Sequence, residues 1–341
     1  MFSLHDLEDA AILVHAHLGP SPALAWPLLA RRTGAEVFVK HENHLPTGAF
    51  KVRGGVVYAD RLTRDGTAGR GLISATRGNH GQSLAWAGQR FGIPVTIVVP
   101  FGNSTEKNAA MTAFGARLIE HGADFEEARE EADRLAAAEG LTFVPSFAPP
   151  LMRGVATYAL ELFRTVPDLD AVYVPIGLGS GICGTILARD LLGLKTRVIG
   201  VQSTGADAYA RSFAARTVVP GNRAETRADG IAVRQPDPDA LRIILAGCER
   251  IATVPDDAIA AAIRAYWTDT HNLIEGAGAA PLAALIAERE QMRGKRVALI
   301  ASGGNLDMTL FRMWVAQEVA EGVAQGAAEG VTKGGTKGGT G

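Results

Sequence analysis

Ala171-Val-Tyr-Val-Pro-Ile-Gly-Leu-Gly-Ser-Gly-Ile-Cys-Gly184 decides how the rest of the chain is read. Ala171–Pro175 has the composition of a strand, and the glycines after it open a segment of helical period that runs to Leu192. A strand passing through a glycine turn into a helix offers successive backbone N–H groups to an anion, and the helix dipole adds to the attraction. The spacing is not a dinucleotide fingerprint. Gly177, Gly179 and Gly181 alternate, and the next strand reaches Gln202 rather than an acidic residue. Nor does the turn end in the Gly-Lys-Ser/Thr of a P-loop. A lone phosphate held by Gly177, Leu178, Gly179, Ser180 and Gly181 is the better interpretation, with a plain glycine-rich βα turn as its alternative.

Outward from this turn, short β-branched runs alternate with longer segments of helical period. Strand-like runs lie at Glu36–Lys40, Gly71–Ala75, Pro94–Val99, Ala171–Pro175, Arg197–Gln202 and Arg296–Ala301. Helical patterns lie at Gly81–Phe91, Thr105–Phe114, Phe125–Glu139, Val155–Phe163, Gly181–Leu192, Asp256–Thr268 and Gly278–Glu288. This alternation predicts right-handed βαβ units, hence an α/β fold with mainly parallel sheets flanked by helices. Pro145–Pro150 interrupts the rhythm and suggests a crossover between two sheets. Val219–Pro238 has little periodicity and reads as a lid or a surface excursion. The end of the chain, with two near-copies of Thr-Lys-Gly-Gly, lacks apolar residues to bury and is expected to be mobile.

Composition narrows the classes. Thirty-four basic against thirty-six acidic residues leave a net charge of −2 with no basic stripe, which disfavours a nucleic-acid partner. Apolar runs such as Val95–Pro100 are too short to span a bilayer, and the first residues lack the basic start of a secretory signal. Cys183 and Cys248, far apart and without metal-ligand spacing, read as reduced thiols, so a cytoplasmic enzyme is expected. His15 and His17 precede no third ligand at metal spacing, and no nucleophile elbow or Cys/His pair is present.

Four further segments carry chemistry. In Thr47-Gly-Ala-Phe-Lys-Val-Arg-Gly54, Lys51 falls at the start of a helix, where the dipole repels cations. That field and desolvation favour the neutral amine, which attacks carbonyls; a solvated lysine is the alternative. Phe50 beside it offers a ring face. Ser74-Ala-Thr-Arg-Gly-Asn-His-Gly-Gln82 runs off a strand into a helix. Asn79 there can donate to a phenolate oxygen, and Thr76 with backbone amides can hold a carboxylate. An N-capping Asn79 with a buried His80 explains the same letters. Ser302-Gly-Gly-Asn305 ends the last strong strand and can hydrogen-bond a neutral ring nitrogen, or be an ordinary turn. Glu275-Gly-Ala-Gly-Ala279 completes the set. An amine, groups for a ring and a carboxylate, a phosphate cradle and a hydroxyl together suit pyridoxal 5′-phosphate.

With these residues in view, the chain from about Leu18 to Arg312 resembles the fold-type-II pyridoxal-phosphate enzymes, in the threonine/serine dehydratase and serine racemase branch. The resemblance implies two open, mainly parallel sheets of the tryptophan synthase β kind. It also implies a large domain at 1–48 and 150–320, a small mobile domain at 49–149 and a flexible tail at 321–341. Lys51 would form the Schiff base, Phe50 flank the ring, and Asn79 meet the ring hydroxyl. Gly177, Gly179, Ser180 and Gly181 would hold the phosphate, with Ser302 at the pyridine nitrogen, and Thr76, Asn79 and His80 would surround the substrate carboxylate. A homodimer would be usual, and the absence of a regulatory segment after this region is a trait of the shorter catabolic enzymes.

Departures from the family pattern carry information. Ala49 stands where serine is common, and Thr76-Arg77-Gly78-Asn79-His80 replaces Ser-Ser-Gly-Asn-His. Racemases of the group use the second serine as an acid/base, and Arg77 is too basic for that work. Gln202 replaces an acidic residue that helps hold a divalent cation in some relatives, so no metal is expected. The expected reaction is loss of water from a 3-hydroxy amino acid, with Lys51 removing the α-proton and ammonia leaving last. If Arg77 enters the pocket it pairs with a second carboxylate, as in 3-hydroxyaspartate; if it faces away, threonine, serine or phenylserine fits. A β- or γ-replacement synthase, a racemase and a non-catalytic binder are the rivals.

Overall fold

Val95–Val99 is buried at every position, as a strand covered on both faces must be. It belongs to one of two sheets in the computed structural model, which describes residues 2–316; the tail expected to be mobile lies outside the described residues. The strands are β1 Ala23–Ala25, β2 Glu36–His41, β3 Leu72–Ala75, β4 Val95–Val99, β5 Arg117–Glu120, β6 Thr142–Phe143, β7 Ala171–Pro175, β8 Arg197–Ser203, β9 Arg250–Val254 and β10 Arg296–Ala301. The longer helices are α1 Leu4–Leu18, α2 Pro27–Thr33, α3 Lys51–Asp65, α4 Asn79–Phe91, α5 Thr105–Ala113 and α6 Phe125–Glu139. They continue with α7 Pro149–Thr165, α8 Ser180–Leu191, α9 Ala208–Ala215, α10 Pro238–Gly247, α11 Asp256–Thr270 and α12 Gly276–Ala287.

The larger sheet has the order β1-β2-β10-β7-β8-β9 and the smaller one β5-β4-β3-β6. Every pairing is parallel except β1 with β2. Apolar clusters fill both faces of the six-stranded sheet, and two more pack around the four-stranded one. The predicted architecture of two mainly parallel sheets flanked by helices is therefore what forms. No helix among the described residues is long and apolar enough to cross a membrane.

Several elements differ from the sequence expectations. The short strands β1, β5, β6 and β9 and the helices α1, α2, α9 and α10 went unforeseen. α4 begins at Asn79, with Gly78 as its cap and no side-chain cap bond, so Asn79 is not an N-capping residue. Val219–Pro238 lies mostly at the surface, as expected of an excursion, but it is tied down. Ala228 and Ile231 within it are buried, and its backbone binds back at Glu225 N to Gly205 O, 2.8 Å.

The topology fixes where a ligand can sit. β2, β10 and β7 lie side by side and parallel, so the segments leaving their carboxyl ends share one edge. Those segments are 42–51, 302–305 and 176–181. From the four-stranded sheet, β3 delivers residues 76–80. The crevice outside the carboxyl ends of parallel strands is the usual ligand position in such sheets.

Candidate active site

Two of these segments are joined by backbone. Phe50 N donates to Ser302 O at 3.0 Å and Gly304 N to Gly48 O at 2.9 Å, with an antiparallel bridge between Ala49 and Gly303. Gly48 has φ +66°, and a Cβ there would lie 2.5 Å from Asn305 Oδ1, so glycine is required at the joint. The joint delivers Lys51 as the first residue of α3. Ser83 Oγ on α4 donates to Lys51 O at 2.7 Å, fixing the start of one helix to the other. Lys51 Nζ stands 5.7 Å from the centre of the Phe50 ring. Burial lowers its ammonium pKa to about 8, so roughly a tenth of the amine is neutral at pH 7 and about half near pH 8.

Two residues further along α3, Arg53 is fully buried and locks the helix to its surroundings. Its guanidinium donates to Glu42 Oε2 (2.7 Å), to both oxygens of Glu161 (2.5 and 2.9 Å), to Thr157 Oγ1 (3.1 Å) and to Ser21 Oγ (3.1 Å). Lys40 Nζ and His15 Nε2 also reach Glu161, at 2.5 and 2.7 Å. Burial pushes the Glu161 carboxyl up, but Arg53 and Lys40 outweigh it and hold the group at about 2.

The Lys51 turn meets the glycine turn through two aromatic rings. Phe50 packs edge-on against Tyr158, whose hydroxyl donates to Gly181 O at 2.8 Å. A Cβ on Gly181 would lie 3.3 Å from that hydroxyl and 3.9 Å from Phe50 Cε2. At Gly177 a Cβ would meet Gly230 O at 2.4 Å, and Gly179 has φ +106° with Ala240 Cβ 2.7 Å from the same virtual atom. A Cβ is thus excluded at Gly177 and Gly179, in a turn that leads into the N-terminus of α8, whose first turn holds no acidic residue. Leu178 accepts from Tyr209 OH at 2.9 Å, and Ser180 is buried. A glycine turn at a helix N-terminus of this kind can cradle a phosphate.

Opposite Lys51, the Thr76–His80 segment supplies groups of three kinds. Thr76 is buried and its hydroxyl accepts from Gly78 N at 3.1 Å. His80 is buried, with Nε2 lacking any partner among the described residues. Burial, helped by the charge of Lys51, lowers it to about 3, so its imidazole is neutral. Asn79 Nδ2 donates to Glu275 Oε1 at 2.7 Å, while Asn79 Oδ1 accepts from Asn305 Nδ2 at 2.7 Å. Burial raises the Glu275 carboxyl to about 7. Arg77 is exposed and forms no hydrogen bond or ion pair among the described residues.

All the residues singled out from sequence therefore gather in one crevice, apart from the Arg77 side chain, which is turned to solvent. Ser302 is buried at the end of β10, and its hydroxyl makes no hydrogen bond among the described residues. The cradle that a Cβ would fill and the unpartnered His80 nitrogen beside a desolvated amine fit pyridoxal 5′-phosphate. Sequence reasoning assigned no role to Glu275 and Asn305, although both stood in quoted motifs. It also missed Tyr158, Gly230 and the ion pair of Lys107 on α5 with Asp229 (3.2 Å), for which the sequence holds no local signal. At Gln202 the amide oxygen accepts from Ala210 N at 2.9 Å.

The chain is 33% identical over 312 residues to an L-threonine ammonia-lyase of Thermotoga maritima, covering 91% of this chain and 77% of that protein. It is 30% identical to an L-threo-3-hydroxyaspartate ammonia-lyase of Saccharomyces cerevisiae, covering 89% and 93%. The processed form of threonine deaminase isoform 2 from Solanum lycopersicum superposes with a TM-score of 0.85 at 28% identity, covering 92% and 94%. A family model described as pyridoxal-phosphate dependent enzyme matches residues 14–303, and the chain belongs to that family.

Proposed function

We propose that this protein is an ammonia-lyase that removes water from a 3-hydroxy amino acid and releases a 2-oxo acid and ammonia. The observation that carries the proposal is Lys51: a desolvated amine at about 8, flanked by Phe50 and joined through backbone to Ser302. The named relatives, which act on threonine and 3-hydroxyaspartate, support it.

When bound, the cofactor supplies the electron sink that lets a Cα–H bond break. The amides around Gly177–Gly181 would hold its phosphate, with Phe50 flanking its ring and Asn79 available to donate to its ring hydroxyl. Ser302 would offer the ring nitrogen a neutral hydroxyl, without the negative charge by which a carboxylate would favour its protonation. Thr76 and the amides at the start of α4 hold the substrate carboxylate. Lys51 Nζ, neutral in a large fraction of molecules near pH 8, takes the α-proton. The β-hydroxyl leaves with a proton as water, and hydrolysis of the released product yields the 2-oxo acid and ammonia.

A panel of 3-hydroxy amino acids assayed for 2-oxo acid and ammonia tests the proposal, with Lys51→Ala as control. Ammonia from one substrate alone separates a lyase from a replacement synthase. Inversion of the substrate without ammonia would overturn the lyase in favour of a racemase. Arg77 faces solvent, which supports threonine, serine or phenylserine over a substrate with a second carboxylate, and the same panel decides between them. Closure of the four-stranded half over the crevice and assembly as a cytoplasmic homodimer complete the proposal. Exposed Leu24, Leu28 and Trp267 give a second copy apolar surface to cover.

A further inference from the structure

Asn79 is held at both ends of its amide, and the hydrogen-bond pattern determines which end is which. The Thr47 carbonyl can only accept, so the Asn305 atom 2.9 Å from it is the amide nitrogen. The second hydrogen of that nitrogen points at Asn79, 2.7 Å away, and must meet an oxygen. The nitrogen of Asn79 is left facing Glu275 Oε1 at 2.7 Å. One of its two hydrogens is taken there, and the other is free. The chain clears space for this contact: a Cβ on Gly303 would lie 2.5 Å from Glu275 Oε1, and one on Gly48 2.5 Å from Asn305 Oδ1. The partners also come from different halves of the molecule. Asn79 opens α4, which follows β3 of the four-stranded sheet, whereas Glu275 precedes α12 and Asn305 follows β10 of the six-stranded sheet.

We propose that Glu275 and Asn305 are positioning residues that clamp Asn79 with one N–H turned toward the cofactor ring hydroxyl, and that the clamp forms only when the two halves are together. The inference rests on the proposed cofactor and adds two residues to its environment. Without the Asn305 anchor the Asn79 amide is free to present its oxygen instead, and two oxygens would then face each other. Closing the crevice thereby tunes the electronics of the ring, so binding geometry and ring chemistry change together.

Three variants of the whole protein test it, with pyridoxal 5′-phosphate as the probe. Glu275→Gln keeps an oxygen that accepts from Asn79, so cofactor affinity within about twofold of wild type and an unmoved visible absorption band are expected. Glu275→Ala removes the acceptor, and Asn305→Asp sets a carboxylate against the Thr47 carbonyl and Asn79 Oδ1. Each of these two should weaken cofactor binding about tenfold or more and shift the band. Hydrogen exchange at residues 76–82 should also quicken in both. Wild-type affinity, band position and exchange in Glu275→Ala and Asn305→Asp would overturn the clamp, as would equal damage from Glu275→Gln. Should Glu275→Ala fail to fold, the near-isosteric Gln and Asp variants decide alone. Absence of any visible band in the wild-type protein would instead defeat the cofactor assignment itself.

Discussion

Glu161→Gln tests how the helix that presents Lys51 is held. Glu161 receives Arg53, Lys40 and His15, and only about 8% of its surface is exposed. Its carboxyl titrates near 2 in the folded protein against 4.5 when unfolded. The folded state therefore binds fewer protons than the unfolded state between those two values. The resulting stabilisation is complete above 4.5 and is lost as pH falls through 2, and at pH 7 it amounts to about 3 kcal/mol. That magnitude agrees with the roughly 3–5 kcal/mol seen when one partner of a buried ion pair is removed. Glutamine is nearly isosteric with the protonated acid. The variant should thus be less stable by about 3 kcal/mol at pH 7, and by about 2 kcal/mol at a pH of about 3.5. Urea unfolding of both proteins at a series of pH values reads the difference directly. A gap that stays constant with pH, or widens on acidification, would refute the charge-based account and leave packing as the cause.

Two further outcomes follow from the crevice. Gly179→Ala places a Cβ at φ +106° and 2.7 Å from Ala240 Cβ, so cofactor affinity should fall by about tenfold or more through strain of roughly 1–3 kcal/mol; an unaltered fluorescence titration would contradict the cradle. In the cofactor-free protein, reaction of Lys51 with an aldehyde should rise with pH around a midpoint near 8, because burial lowers the ammonium pKa. A midpoint near the ordinary 10.5 would mean that the amine is hydrated.

The parts of the site that were legible in the sequence are those whose chemistry is local. A glycine turn between a strand and a helix is written in consecutive residues, and so are Phe50-Lys51 and Ser302. Glu275 and Asn305 were visible as letters, but their role lies in a contact with Asn79 about 200 positions away, which no spacing rule reports. Arg53 illustrates the same limit. An arginine in a sequence reads as surface, whereas here its charge is neutralised by Glu42 and Glu161, brought in from separate elements. Among the missed strands, β1 and β5 are edge strands with largely open faces, so they lack the continuous apolar run that marks the buried ones. α10 was hidden although Asp237 caps it by accepting from Ala240 N, because an aperiodic segment precedes it and masks its start. That segment is anchored through Ala228, Ile231 and backbone contacts rather than through an alternating side-chain pattern.

The strand order has a consequence for how the molecule comes into being. β2 and β7 do not pair; each pairs with β10, which lies between them and is the last of the described strands to be made. The four-stranded sheet, drawn wholly from residues 72–143, has all its members early and can assemble while translation continues. β2 must wait for residues 296–301, a delay of roughly tens of seconds at ordinary rates of synthesis. Throughout that interval its hydrogen-bonding edge toward β10 stays bare, and the amide of Phe50, just before Lys51, has no Ser302 carbonyl to bind. A nascent chain is therefore unable to capture a reactive aldehyde in its finished setting before the closing strand has emerged from the ribosome.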